Sequence, residues 1–230
     1  MALSPMMQHY LQVKENYKDC IVFYRLGDFY EMFFDDAKKV SAMLELTLTG
    51  RDCGLSERAP MCGVPFHAAE TYIAKLVEQG EKVAICEQLT LPGETKGLVE
   101  RDVVRVVSAG TMIDDKLLDS KANNFIASVF SDGKNYALAW ADITTGDFSA
   151  KGFTGVSASD DLVDTLVRIN PAEIISNQRA HDESGDLPIV KHKVVPDFYA
   201  FRDYAFSFKT AEKALMDQFG VLSLSAYGLD

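Results

Sequence analysis

The sequence has no apolar run near the ~18 residues that a membrane-spanning helix requires. Its opening, Met1-Ala2-Leu3-Ser4-Pro5, lacks the basic-then-apolar profile of a secretory signal. These absences exclude a membrane-spanning helix and make a cytoplasmic location, away from the membrane, the expectation. Cysteine is sparse, and Cys20, Cys53, Cys62 and Cys86 form no Cys-x-x-Cys pair. Cys62 and His67 would need two further ligands to hold zinc, and no spacing supplies them, so the thiols are expected to be reduced and buried. Positive charge is in deficit, with 23 basic residues against 34 acidic ones and a net charge of −11. Both halves of the chain are acidic, which excludes a broad basic surface. Any contact with nucleic acid must be a small local site. There is no Gly-x-x-x-x-Gly-Lys-[Ser/Thr] phosphate loop, no nucleophile triad around the histidines at 9, 67, 181 and 192, and no internal repeat.

What remains is an ordinary globular composition of 230 residues, 47% hydrophobic and 25% charged, enough for two small α/β units. Ser4 and Pro5 suit the start of a helix carrying Met6, Met7, Tyr10, Leu11, Val13 and Tyr17 at helical spacing. The nearly continuous apolar run Cys20–Leu26 predicts a buried strand. Gly27-Asp28 predicts a turn, and Phe29–Phe34 a second extended segment. A helix is expected over 35–44, a short strand over 46–49, a loop over 50–66 and a helix from His67 to Gln79 closed by Gly80. Strands over 82–89 and 99–107 complete a mixed-sheet α/β unit.

The polar, turn-rich stretch over 109–124, around Leu117-Leu118, predicts a boundary. Beyond it, segments 125–130, 136–143 and 147–153, joined by Asp132-Gly133 and Thr145-Gly146, predict an antiparallel meander. A helix from Ser157 to Ile169, strands at Ile174-Ile175 and over 187–195, and a helix over 211–219 closed by Gly220 follow. This is the element order of a ribonuclease-H-like α/β domain.

The most informative stretch is Gly27-Asp28-Phe29-Tyr30-Glu31-Met32-Phe33, with Phe23-Tyr24-Arg25-Leu26 before it and Asp35-Asp36-Ala37-Lys38 after it. With Thr47-Leu48-Thr49-Gly50-Arg51, the run from Pro60 to Ala68, Val83-Ala84-Ile85-Cys86-Glu87-Gln88 and the run from Val99 to Val107, in that order, it resembles the mismatch-recognition domain of the bacterial MutS family. The likeness is dense over residues 5–112 and looser to about residue 230, where the chain resembles the family's connector domain. The resemblance implies a mismatch-recognition, DNA-binding domain over 1–115, a linker over 116–124 and a ribonuclease-H-like connector over 125–230. It implies that Phe29 stacks on a mispaired base and that Glu31 hydrogen-bonds to it. It further implies mismatched double-stranded DNA and a MutL-type protein as partners and a homodimer in the full-length protein. An ATPase using ATP and Mg would lie beyond residue 230, leaving this stretch without cofactor or catalytic site.

Elementary geometry agrees with the two roles. Alternation along an extended segment puts Phe29 and Glu31 on one face and leaves Tyr30, Met32 and Phe34 to hold the core. Without these surroundings Phe29 would read as a core residue and Glu31 as a solvated charge. Arg51 suits either a phosphate or minor-groove contact or a surface charge. Leu26 and Gly27 border the turn, and Met61 and His67 belong to the neighbouring loop and helix start, where His67 could meet a phosphate or serve structure alone. Two other readings stay open: a metal-dependent nuclease with Asp142 and Asp147 as ligands, and a protein-interaction module suggested by the negative charge.

Overall fold

The computed structural model describes residues 3–90, 99–112 and 123–228 and divides into two compact units, Met1–Ser120 and Lys121–Asp230. The expected linker, apart from residues 123 and 124, lies outside the described residues, as do Leu117-Leu118 and the loop over 91–98.

The first unit is a six-stranded mixed sheet. Its strands are β1 (Cys20–Leu26), β2 (Phe29–Phe33), β3 (Thr49–Arg51), β4 (Ala59–Pro65), β5 (Lys82–Gln88) and β6 (Arg101–Val107), in the order β3-β4-β2-β1-β5-β6. Among the described residues of this unit only the β1–β5 pair is parallel. Helix α1 (Pro5–Asn16) covers one face, and α2 (Phe34–Leu44) and α3 (Ala69–Glu78) cover the other. Ile21, Phe23, Tyr30, Met32 and Ile85 pack under α2 and α3, while Val22, Tyr24, Phe33 and Cys86 pack with Met7 and Tyr10 of α1. β1 is therefore buried on both faces, the reason its sequence is a continuous apolar run. Ser4 caps α1 as expected, its Oγ accepting from the Met7 amide at 3.4 Å. All four cysteines are buried and free.

Three expectations for this unit need correction. The strand expected over 46–49 begins only at Thr49. The preceding residues finish α2 instead: Glu45 is left-handed, and the Leu46 amide donates to the Ser41 carbonyl at 3.1 Å. The loop expected over 50–66 contains β4, concealed by Pro60 and Pro65, which lack an amide and depress the strand signal. Both prolines sit near the strand ends, opposite Gly50 and Phe29. Phe34 does not extend β2. It takes φ +55, opens α2 and packs 6.2 Å from the Tyr10 ring, on the face opposite Tyr30 and Met32.

The second unit is a five-stranded sheet. β7 (Phe125–Ser131), β8 (Tyr136–Asp142) and β9 (Asp147–Phe153) form the expected antiparallel meander. β10 (Glu173–Ser176) adds parallel to β7, and β11 (Phe198–Ala200) parallel to β10. The order β11-β10-β7-β8-β9, with α4 (Ala158–Ile169) packed on the meander, is the ribonuclease-H-like arrangement read from the element order. The strand expected over 187–195 is incorrect. Pro188 opens a short helix, α6 (Pro188–Lys191), and the strand is displaced to β11. Helix α5 (Gln178–Ser184) gives little sequence signal, because only Ala180 and Ser184 of it are buried and its periodicity is faint. Its cap, Asn177, accepts from the Ala180 amide at 3.3 Å and the Ser131 amide at 3.0 Å. Helix α7 (Phe208–Phe219) closes at Gly220 as expected.

Asp142, one of the two proposed nuclease ligands, closes the β8–β9 turn. It is 1% exposed. Its Oδ1 accepts from the Thr144 hydroxyl at 2.6 Å and the Thr144 amide at 2.9 Å, and its Oδ2 from the Asn124 amide at 3.1 Å. The Thr144 hydroxyl, more than the backbone amides, holds its carboxyl below the ordinary range. A folded-state value depressed in this way contributes stability that is present above the unfolded value and is lost as pH falls through the folded one. Asp142→Asn should destabilise the second unit by about 1–3 kcal/mol at neutral pH, since it weakens bonds to a charged acceptor. The difference from wild type should shrink as pH drops below about 4, where the carboxyl also titrates when unfolded. Denaturant titrations at pH 7 and pH 3 check this, and an equal loss at both pH values would refute it.

Candidate nucleic-acid interface

The β1–β2 hairpin turns on Gly27 and Asp28. Gly27 alone of the two takes a positive φ, +59, the pattern of a type II′ turn whose twist matches the flanking strands. Leu26 pairs with Phe29, and Phe29 with Pro65 of β4. Phe29 thus sits at the end of the sheet, with its side chain on the α1 face but past the end of α1's cover, and it remains 46% exposed. Two residues on, Glu31 occupies the same face, as alternation requires.

The tip is tightly held. Arg25 Nε donates to the Gly27 carbonyl at 2.5 Å, its guanidinium lies 3.9 Å from the centroid of the Phe66 ring, and its Nη1 is 3.8 Å from Glu87 Oε1. The Tyr30 hydroxyl donates to the same Glu87 oxygen. Burial first, then the Glu87 carboxylate, push the Tyr30 phenol up to about 12, so it stays a donor. The Gly27 amide donates to Gln88 Oε1 at 3.0 Å, and the Phe66 amide to the Asp28 carbonyl at 2.9 Å. The turn that presents Phe29 is anchored to β4, β5 and the 3₁₀ turn Phe66–Ala68, which limits the freedom the aromatic must lose on contact.

Glu31 has β1 on one side and β4 on the other, opposite Tyr24 and Gly63. Its carboxylate accepts from Nη1 of Arg51, at the end of β3. Reaching β3 means crossing β4, where Gly63 stands directly opposite Glu31. A Cβ at position 63 would lie 3.4 Å from Glu31 Cγ and 3.2 Å from the Tyr30 carbonyl oxygen. Register puts Leu26, Phe29, Glu31, Arg51 and Met61 on a single face, with Gly27 in the turn beside them. His67 is not among them: it lies exposed in the 3₁₀ turn, edge-on to Phe66 at 5.9 Å, and α3 begins only after it.

Arg25 and Arg101 were not singled out by sequence. Arg101 Nε donates to the Arg25 carbonyl at 2.9 Å and Nη1 to the Val99 carbonyl at 2.9 Å, with its guanidinium 5.3 Å from the Tyr24 ring centroid. The Tyr24 hydroxyl in turn meets His9 Nδ1 at 2.9 Å. Burial, then the Arg101 charge, lower the His9 pKa and favour a neutral imidazole. Nothing in the local sequence reveals these arginines, because beside one carbonyl two residues away each acts on partners distant in sequence. A chain of net charge −11 nevertheless gathers Arg25, Arg51 and Arg101 around one hairpin.

The MutS domain I family model matches residues 4–116, and the MutS domain II model matches residues 124–230. The chain belongs to the MutS family. It is 48% identical over 228 residues to the DNA mismatch repair protein MutS of Ruminiclostridium cellulolyticum, covering 99% of this chain and 26% of that protein. It is 54% identical over 184 residues to the namesake of Acetivibrio thermocellus, covering 80% and 21%. Against that of Pelotomaculum thermopropionicum the identity is 49% over 216 residues, covering 94% and 25%. The chain thus spans about a quarter of the length of these MutS relatives. The hairpin with Phe29 and Glu31 lies in MutS domain I, and the ribonuclease-H-like unit in MutS domain II.

Proposed function

We propose that domain I of this chain reads mispaired and unpaired bases in duplex DNA, with Phe29 as a wedge from the minor groove and Glu31 as the hydrogen-bond partner of the displaced base. The observation that carries the reading is a large aromatic left 46% exposed at the tip of a hairpin whose turn is braced on three sides. Inserting a ring between base steps costs a few kcal/mol of stacking and permits a kink. A mismatch stacks poorly, so the cost is lower there. Lesions are then found through deformability, without a sequence code. Leu26 and Gly27 border the wedge, Met61 lies on its face farther along β4 with Arg51 at the end of β3, and His67 follows Phe66 in the 3₁₀ turn.

In the whole protein we assign DNA-dependent ATPase activity, with ATP and Mg, to parts beyond this chain, and action as a homodimer in which one subunit's Phe29 engages the lesion. The second unit is assigned as a connector to a MutL-type protein, and the cytoplasm as the site of action. The nuclease reading is set aside because the Asp142 oxygens already accept from Thr144 in the turn and from the Asn124 amide before β7. A divalent-metal nicking assay on plasmid DNA checks that judgement.

The test is a titration of the full-length protein against matched and mismatched duplexes, with Phe29→Ala alongside. The mismatch preference should collapse in the variant. Residues 1–230 alone should bind either duplex weakly at physiological salt, because phosphate neutralisation supplies most non-specific affinity and this chain carries net charge −11. Sub-micromolar binding by the isolated chain would contradict that expectation.

A further inference from the structure

We propose that Arg51 sets the discrimination exerted through Glu31: on lesion-free DNA its guanidinium stays paired to the Glu31 carboxylate, and capture of a displaced base by Glu31 releases it to a backbone phosphate. The inference rests on the reading of Phe29 and Glu31 given above.

Three features lead to it. First, the pair is built by the sheet. Arg51 stands at the end of β3 and Glu31 in β2, with β4 between them. Gly63, the residue of β4 directly opposite Glu31, sets no side chain beside the carboxylate. Second, the two partners are buried unequally. The Glu31 side chain is 14% exposed and that of Arg51 38%. The carboxylate is the inner member, and the guanidinium is the one able to swing outward. Third, Arg51 differs from its neighbours in what holds it. Arg25 and Arg101 donate to backbone carbonyls, and the carboxylate near Arg25, Glu87, is itself engaged by the Tyr30 hydroxyl. Arg51 is held by a carboxylate whose other use, under the proposed function, is to accept from a base.

The exchange follows from charge and hydrogen-bond capacity. A carboxylate facing DNA is repelled by phosphates, and Arg51 neutralises it locally. On a matched duplex no base is displaced, so the ion pair persists and the guanidinium makes no phosphate contact. On a mismatch, the base N–H replaces the guanidinium on Glu31. The freed Arg51 then gains a phosphate, a charge-assisted contact of comparable strength. Lesion capture is thereby linked to one additional backbone contact.

The experiment measures affinity against salt concentration for matched and G·T-mismatched duplexes, with full-length protein carrying wild-type sequence, Arg51→Met, Arg51→Lys, Glu31→Gln, the Glu31→Gln/Arg51→Met pair or Phe29→Ala. Each phosphate neutralised adds about 0.9 to the slope of log affinity against log salt. Arg51→Met should reduce the mismatch slope by about one contact and leave the matched slope unchanged, while Arg51→Lys keeps both. Glu31→Gln frees the guanidinium without a lesion. It should raise the matched slope by about one contact and tighten matched binding several-fold, and adding Arg51→Met should cancel both gains. Equal slope losses on the two duplexes would make Arg51 an ordinary phosphate contact and overturn the proposal, as would no change on either. Unchanged melting temperatures in Arg51→Met and Arg51→Lys separate these outcomes from misfolding. Survival of discrimination in Phe29→Ala would instead overturn the underlying reading of the wedge.

Discussion

Phe29→Ala should bring mismatch affinity down toward matched-duplex affinity while leaving the fold intact. Stacking of an aromatic side chain on a base is worth about 1–3 kcal/mol, or roughly 5- to 150-fold in affinity. Nearly all of that loss should fall on the mismatched duplex, because only there is the ring inserted. The melting temperature should hardly move, since the ring is 46% exposed and the turn behind it is anchored through Arg25, Gln88 and Phe66. Phe33 is the control. It lies on the same face four residues along, is 0% exposed and packs edge-on to Tyr10 at 5.0 Å. Phe33→Ala should cost about 3–5 kcal/mol of stability through the cavity it leaves. Thermal denaturation and paired titrations of both variants distinguish the roles. A large fall in melting temperature for Phe29→Ala with discrimination retained would place Phe29 in the core and remove it from the mechanism.

Asp36→Ala should be the most damaging polar substitution in the first unit, lowering stability by about 3–5 kcal/mol. Asp36 is 6% exposed and belongs to α2, yet its bonds go elsewhere. Oδ2 accepts from the Val22 amide at 3.0 Å and the Tyr10 hydroxyl at 3.0 Å, and Oδ1 from Lys14 Nζ at 2.8 Å. β2 pairs with β1 only from Tyr24 to Leu26. At Val22 the strand has lost that neighbour, and the carboxylate takes its place on the backbone amide. It also ties α1 to the same point through Tyr10 and Lys14. Burial and the Asp36 charge raise the Tyr10 pKa, so the phenol remains a donor to the carboxylate. Alanine would leave the buried Val22 amide without this acceptor and the half-buried Lys14 ammonium without its counter-charge, holding only the Cys20 carbonyl, whereas Asp36→Asn retains an acceptor and should cost less. Denaturant unfolding of the two variants checks the order, and a loss below 1 kcal/mol for alanine would show that water replaces the carboxylate.

Where local pattern and tertiary demand coincide, the elements were legible. α1 follows from Ser4, Pro5 and a 3.6-residue stripe, and β1 from a run apolar on both faces. The meander of the second unit follows from its two glycine turns. The errors arose where partners decide. Prolines that are harmless at its ends hide β4, and the run over 187–195 has the composition of a strand although Pro188 starts a helix there.

The candidate site divides in the same way. Sequence by itself determined that the chain folds as two α/β units, that a Gly-Asp turn precedes Phe29, and that Phe29 and Glu31 share a face, because turn chemistry and the two-residue period of a strand are local properties. Only the tertiary structure decided that Phe29 lies beyond the cover of α1 while Phe33 lies beneath it. It alone brought Arg25 to the turn through Phe66 and Glu87, and Arg51 to Glu31 across β4. The physical reason is that burial and ion pairing depend on which strands are neighbours. The order β3-β4-β2-β1-β5-β6 places residues 20 to 60 positions apart side by side, a distance over which no local periodicity reaches.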